Sequence, residues 1–310
     1  MSKKLIYGGK MKPGKSLLSH VKTWVWTIVI VVSILIGCAF GADLREIKER
    51  GSLRHLGVPY ANFVTGSGDG LDVELVKLFA QHLGVRYEYV KTSWKDVIGD
   101  LSGKKVKPKG DDIEILGDVP VKGDIIANGL TILPWREKII DYSTPTFPTQ
   151  VWLVARADSA MKPIKPSGDI NKDIAAVKAM LRERSVLGKA DTCLDPALYS
   201  LKKVGAMVRL FNGSLNALAP AVINRDAEAT ILDLPDALIA LEKWPGNIKV
   251  IGPVSPMQNM GYAFPKTSPR LRDTFNQFFK QCRKDGTYLR LIKKYYPAVF
   301  RYYPEFFEEK

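Results

Sequence analysis

The stretch Asp72–Leu83, DVELVKLFAQHL, carries Val73, Leu75, Val76, Phe79 and Leu83 at three- and four-residue steps. That period gathers the apolar residues on one face of a helix, and Gly84 supplies a stop. Before it, Leu53–Val58 is a short apolar run and a candidate first strand, followed by Tyr60–Phe63 and the turn-rich Gly66–Gly70. After it, Val85–Val90 alternates as a strand does, and Trp94–Leu101 predicts a short helix. Residues 103–123 are rich in Gly, Lys and Pro and predict an excursion or hairpin. Asp124–Thr131 passes from strand to turn, and Val151–Ala155 is a strong strand. A second cycle then begins. Asn171–Arg184, Leu194–Val204, Ser214–Asn224 and Ala237–Trp244 read as helices, with Asp233-Leu-Pro-Asp opening the last. Ser185–Gly188, Val208–Phe211, Ala229–Leu232 and Lys249–Ile251 read as the strands between and after them. Gly261–Phe264 leads to two closing helices, Arg270–Asp285 and Tyr288–Tyr295, parted by Asp285-Gly286. Alternating strand and helix argues for α/β layers. Two such cycles, with the closing helices far from either, suggest two lobes joined by more than one crossing.

Composition places the 310 residues among ordinary globular chains, 46% hydrophobic and 25% charged, which excludes disorder, collagen and disulfide-dense scaffolds. The net charge of +14 invites a nucleic-acid or membrane-surface partner until it is located. Residues 1–42 hold Lys3, Lys4, Lys10, Lys12, Lys15 and Lys22 and no acid, leaving +8 thinly spread over 43–310. No clustered basic footprint remains for nucleic acid.

The same N-terminal stretch reads as an address. Residues 23–40, TWVWTIVIVVSILIGCAF, are uncharged and follow the lysines. This is the order of a secretory signal. Three outcomes stay open. Ala39-Phe40-Gly41 before Ala42 fits ordinary signal peptidase, and Leu35-Ile36-Gly37-Cys38 resembles a bacterial lipobox that would lipidate Cys38. An uncleaved anchor is the third, because an apolar run of 18 residues is at the lower edge for spanning a bilayer. Each exports the rest of the chain, to the periplasm by the positive-inside rule.

Several chemistries drop out. Gly9–Ser16 matches the P-loop letters GxxxxGK[ST], but it lies inside the lysine-rich leader with no core strand before it. His20, His55 and His82 are the three histidines, and no cluster has zinc spacing. Neither His55 nor His82 lies near a nucleophile-elbow sequence. No cofactor or metal is expected. Export permits a disulfide, and two free thiols are expected at Cys193 and Cys282.

Four stretches, in order, carry a resemblance. Val58-Pro-Tyr60-Ala-Asn-Phe63 with Gly70-Leu-Asp72-Val-Glu-Leu-Val-Lys-Leu-Phe-Ala is the first, and the run from Asp124 through Gly129-Leu-Thr131, Pro134-Trp-Arg136 and Asp141-Tyr-Ser143-Thr-Pro145 is the second. Asp226-Ala-Glu-Ala-Thr-Ile-Leu-Asp233 is the third, and Met260-Gly-Tyr262-Ala-Phe-Pro265-Lys with Lys284-Asp-Gly286-Thr-Tyr288 and Lys294-Tyr295 is the fourth. From about Leu53 to Tyr296 the chain resembles the bacterial extracellular solute-binding proteins of family 3, the amino-acid-type receptors of ABC importers.

The resemblance implies an α/β, two-lobed periplasmic-binding-protein fold of type II, with two crossing strands at the hinge and ligand in the cleft between lobes. Mapped here, residues 1–42 are signal or anchor, 43–152 with 259–310 form lobe 1, and 153–258 form lobe 2. The implied function is an exported, non-catalytic, monomeric receptor of a small polar, amino-acid-like solute, delivering it to an inner-membrane ABC permease. An exported dehydratase on the same fold and a sensory module are the alternatives.

For the ligand, the resemblance places Arg136 on a carboxylate, which a planar guanidinium grips with two parallel hydrogen bonds. Thr131 and the Gly129 backbone would complete that subsite, although the family often has serine where Gly129 stands. Asp233 would hold an ammonium while also capping a helix, and Tyr60 would stack on the ligand side chain. Trp135 and Phe147 are further aromatics near the cleft. Thr192 can still donate in the second lobe, but Asp191 beside it departs from the family's pattern and would repel a carboxylate if it faced inward.

Overall fold

The computed structural model describes residues 43–308. The apolar run, both cleavage patterns and Cys38 lie outside the described residues. Among the described residues fourteen strands run in chain order as β1 (Ser52–Gly57), β2 (Arg86–Lys91), β3 (Lys104–Lys109), β4 (Asp112–Asp118), β5 (Ile125–Ile126), β6 (Ile140–Tyr142) and β7 (Phe147–Thr149), then β8 (Val151–Arg156), β9 (Ser185–Gly188), β10 (Met207–Leu210), β11 (Ala229–Asp233), β12 (Ile248–Pro253), β13 (Gln258–Met260) and β14 (Ala263–Pro265). They build two five-stranded sheets, ordered β2-β1-β5-β14-β6 and β10-β9-β11-β8-β12, and two small ones, β13-β7 and β3-β4. In the first, β1 runs parallel to β2 and β5, and β14 is antiparallel to both neighbours. In the second, β9 is parallel to β10 and β11, and β8 antiparallel to β11 and β12.

The hydrophobic period explains the layers. The Leu71–Leu83 helix buries Val73, Leu75, Val76, Phe79 and Leu83 and ends on Gly84 at φ 71, a left-handed stop that glycine adopts without a Cβ penalty. Interior strand β8 is buried from Val151 to Ala155, which requires its nearly continuous apolar run. The excursion at 103–123 is the β3–β4 hairpin.

The segment expected to be helical at Leu194–Val204 is not. It forms a chain of turns and only a short 3-10 helix at Leu201–Val204. Side chains divert its backbone: Thr192 Oγ1 accepts from Leu194 N–H at 3.1 Å, Asp195 Oδ1 accepts from Ala197 N–H at 2.9 Å, and Ser200 sits at φ 55. Such local bonds compete directly with helix formation.

The chain leaves the first sheet through β7 and returns through β13, and these two strands pair antiparallel. Gln150, between β7 and β8, accepts on its Oε1 from Trp152 Nε1 at 2.8 Å and from the Tyr303 hydroxyl at 3.1 Å. Tyr302 packs at a tilt against Trp152, with ring centroids 5.3 Å apart. A crevice of about 360 Å³ runs between Leu238 and Ile239 of the Leu234–Lys243 helix and Tyr295–Tyr302. Among the described residues no helix is long and apolar enough to cross a membrane.

Candidate ligand cleft

Strand β11 ends the second sheet's contribution on Asp233, which caps the Leu234–Lys243 helix by accepting from Asp236 N–H at 3.3 Å. The Tyr60 hydroxyl, from the loop after β1, donates to the other side of the same interface, onto Asp233 Oδ1. Both residues are fully buried. The Cys193 thiol donates to Asp233 Oδ2 at 3.6 Å. Among the described residues no cation pairs with this carboxylate, and burial pushes its pKa up to about 6. The same burial, with Asp233 alongside, pushes the Cys193 thiol up to about 12 and the Tyr60 hydroxyl well above its ordinary value.

Arg136 lies across from this group on the short Pro134–Glu137 helix and is only 2% exposed. Its Nη1 donates to the Thr131 carbonyl at 2.8 Å, and its guanidinium lies 5.2 Å from the centre of the Trp135 ring. Arg136 forms no ion pair with a described residue, and its Nε has no hydrogen-bond partner among them. Its charge reaches Cys193, where it opposes the upward shift of the thiol. Thr131 is 1% exposed, and its hydroxyl makes no hydrogen bond to a described residue. A buried charge without a counter-charge is costly. Here one stands on each side of the interface, with opposite signs.

The remaining expected residues are placed differently. Gly129 sits at φ +66, and a Cβ there would lie 2.4 Å from the Phe63 ring. A side chain is excluded at this position for both reasons. Its N–H donates to buried Asp72 Oδ2 at 2.7 Å. Thr192 is buried and gives its hydroxyl to the Lys189 carbonyl at 2.8 Å. Asp191 is exposed at φ 61. Trp135 backs Arg136, and Phe147 packs with Phe63 and Tyr296 at 5.2 and 5.0 Å. Cys193 and Cys282 are both free thiols.

Sequence reasoning had no signal for Asn128, which is fully buried with neither side-chain atom partnered among described residues. Nor did it single out Tyr142, whose hydroxyl donates to the Thr131 carbonyl at 3.1 Å, or Tyr199, whose hydroxyl donates to the Cys193 carbonyl. No group of metal-ligating side chains gathers among the described residues.

Three comparisons bear on this arrangement. The family model for bacterial extracellular solute-binding proteins, family 3, matches residues 121–298. The chain is 25% identical over 300 residues to the L-cystine-binding protein TcyJ of Escherichia coli strain K12, covering 91% of this chain and 98% of that protein. It is 26% identical over 289 residues to a membrane-bound lytic murein transglycosylase F of Desulfosudis oleivorans, covering 89% of this chain but 57% of that longer protein. Among solved structures, an ancestral amino-acid-binding protein described as a precursor of cyclohexadienyl dehydratase matches with TM-score 0.62 and 26% identity, over 82% of this chain and 98% of that one. A mutant of ArgBP from T. maritima matches in fold with TM-score 0.65 at 24% identity, over 82% and 99% of the two chains.

Proposed function

This chain belongs to the bacterial extracellular solute-binding proteins, family 3, and from that membership we propose that it is a non-catalytic receptor that closes two lobes on an amino-acid-like solute and delivers it to an ABC permease. One observation carries the reading. Arg136 and Asp233 are buried on opposite sides of the interface between the sheets, and neither has an ion-pair partner among the described residues. A zwitterion supplies what both lack, a carboxylate for the guanidinium and an ammonium for the carboxylate. Thr131 adds an unpartnered hydroxyl on the carboxylate side. The Tyr60–Asp233 bond joins the two sides directly, so ligand entry exchanges that bond for one to the ammonium.

Lobe 1 is taken as residues 43–152 with 259–310 and lobe 2 as 153–258, the first boundary falling inside β8. Closure is then a hinge motion at the β7 and β13 connections. Export is part of the same reading, with the product monomeric and either soluble in the periplasm or held at the membrane through Cys38.

A thermal-shift screen of the purified protein against amino acids, polyamines and small peptides tests this. An α-amino acid should raise the melting temperature with no chemical turnover. If no amino acid shifts it, or if the stabilising compound is consumed, the receptor reading fails.

A further inference from the structure

The crevice between the Leu234–Lys243 helix and Tyr295–Tyr302 has no role in that reading. The helix wall gives Leu238 and Ile239, both 6% exposed, and the half-buried Leu241. The other wall begins at Tyr295, the last residue of the Thr287–Tyr295 helix, and continues through Tyr296, Pro297 and Ala298 to Tyr302, which is 42% exposed. At about 360 Å³ the crevice falls among the cavities that hold small organic ligands. It shares no lining residue with Tyr60, Thr131, Arg136 or Asp233.

Polar groups are few on these walls. The Tyr295 hydroxyl already accepts from Gly70 N–H at 3.2 Å, and the Tyr296 hydroxyl from Asn62 N–H at 2.9 Å. Two charged side chains remain, one on each wall: Glu242 from the helix and Arg301 from the turn after Tyr296. Both are exposed, and neither forms an ion pair with a described residue, each other included. An apolar crevice thus carries unlike charges on facing walls that do not neutralise one another.

We propose that this crevice is a second binding site, for a short apolar molecule with an ammonium at one end and a carboxylate at the other, and that filling it tightens the cleft. The apolar body would cover Leu238, Ile239 and the tyrosine wall, and removing that surface from water drives binding. The ammonium would meet Glu242, and the carboxylate would meet Arg301, whose planar fork suits it. Both charges face solvent, so each selects by sign while adding modestly to affinity. The coupling follows from the walls. The helix wall opens on Asp233, and the crevice exists in the arrangement where Tyr60 donates to Asp233 across the interface. A molecule that fits the crevice in this arrangement favours it over one in which the two sides stand apart. Solute and crevice ligand then raise each other's affinity by the same factor. The coupling rests on the receptor reading; the site itself does not.

Calorimetric titration of the full chain with 4-(aminomethyl)benzoate, benzylamine and 4-methylbenzoate tests the proposal. The first, a zwitterion, should bind at least threefold more tightly than the other two. Glu242→Gln should bring it level with 4-methylbenzoate, and Arg301→Gln should bring it level with benzylamine. Arg136→Ala should bind it as the wild type does. At saturating 4-(aminomethyl)benzoate, the amino acid found in the thermal screen should bind at least threefold more tightly. The double variant Glu242→Gln/Arg301→Gln should keep the thermal shift with that amino acid alone and lose this enhancement. Equal binding of the three probes, or indifference to both charge substitutions, overturns the site. An amino-acid Kd unchanged or weakened by the probe overturns the coupling. Loss of probe binding in Arg136→Ala but not in the double variant would place the probe in the cleft, overturning the second site and leaving the receptor reading intact.

Discussion

Replacing Arg136 by alanine tests the cleft most directly. The side chain donates from Nη1 to the Thr131 carbonyl, adjoins the Tyr142 hydroxyl, and lies over the Trp135 ring. A bond from a charged donor is worth about 1.5–3 kcal/mol, and a cation–π contact about 0.5–2 kcal/mol. Against that loss, the substitution removes a buried guanidinium with no counter-charge among the described residues, whose desolvation costs several kcal/mol. The terms oppose one another, so Arg136→Ala should fold and melt close to the wild type. Its effect on ligand should be large. A bidentate grip is two charge-assisted bonds, about 3–6 kcal/mol together. At ~1.4 kcal/mol per decade, that is a loss of about a hundredfold to ten-thousandfold in affinity. Arg136→Lys should recover little of it, since an ammonium cannot present two parallel donors. Calorimetric titration with the amino acid found in the thermal screen gives the number. A Kd for Arg136→Ala within threefold of wild type refutes the argument, and a variant that fails to fold shows Arg136 to be a structural residue.

Asp233→Asn should weaken ligands with an ammonium about as much and leave those without one nearly unaffected, as paired titrations would show. Because burial raises the Asp233 carboxyl to about 6, an ammonium ligand that needs the ionised form should bind progressively less tightly as pH falls below 6. The same upward shift makes ligand-free stability contributed by Asp233 fall, not rise, as pH increases from its unfolded value toward 6; Asp233→Asn should flatten that part of a melting curve against pH. Gly129→Ala should lower the melting temperature by several degrees, because it combines a left-handed backbone, worth about 1–3 kcal/mol of strain, with a clash on Phe63. Cys193 and Cys282, 4% and 5% exposed, should resist alkylation at pH 8 in the folded protein and react fully after denaturation, read by mass spectrometry; rapid native labelling of Cys193 would contradict a closed interface. Cys38→Ser should release the protein from the membrane fraction if that cysteine is lipidated, and unchanged fractionation leaves the soluble or anchored product.

What the sequence disclosed follows the reach of its signals. The Leu71–Leu83 helix, β8 and the closing helices each span enough residues for a period to show. Strands β7 and β13 have three residues each, too short for any alternation, and they exist because they pair with each other across the connections between sheets. Leu194–Val204 failed as a helix because Thr192 and Asp195 bind its backbone, a competition that apolar spacing does not register. For the cleft, the types at Tyr60, Thr131, Arg136 and Asp233 could be singled out by resemblance. Their juxtaposition could not, since Tyr60 and Asp233 are 173 residues apart. The engagement of the Gly129 N–H by Asp72 is likewise a product of packing, visible only once the Leu71–Leu83 helix lies against the first sheet.

Gln150 holds Trp152 and Tyr303 on one oxygen, which fastens the turn after the last long helix to the segment where the chain passes between sheets. In the proposed hinge motion, rotation of one sheet against the other bends that segment, and so works against the Tyr303 bond and the tilted Tyr302–Trp152 contact. An apparent dissociation constant depends on the fraction of molecules in the competent conformation. On the proposed hinge, affinity then responds to Gln150, Trp152, Tyr302 and Tyr303 as well as to the cleft residues, through the balance of open and closed forms. The same mechanical link makes position 302 a natural place for an environment-sensitive dye, one whose signal would follow opening and closing without touching the ligand.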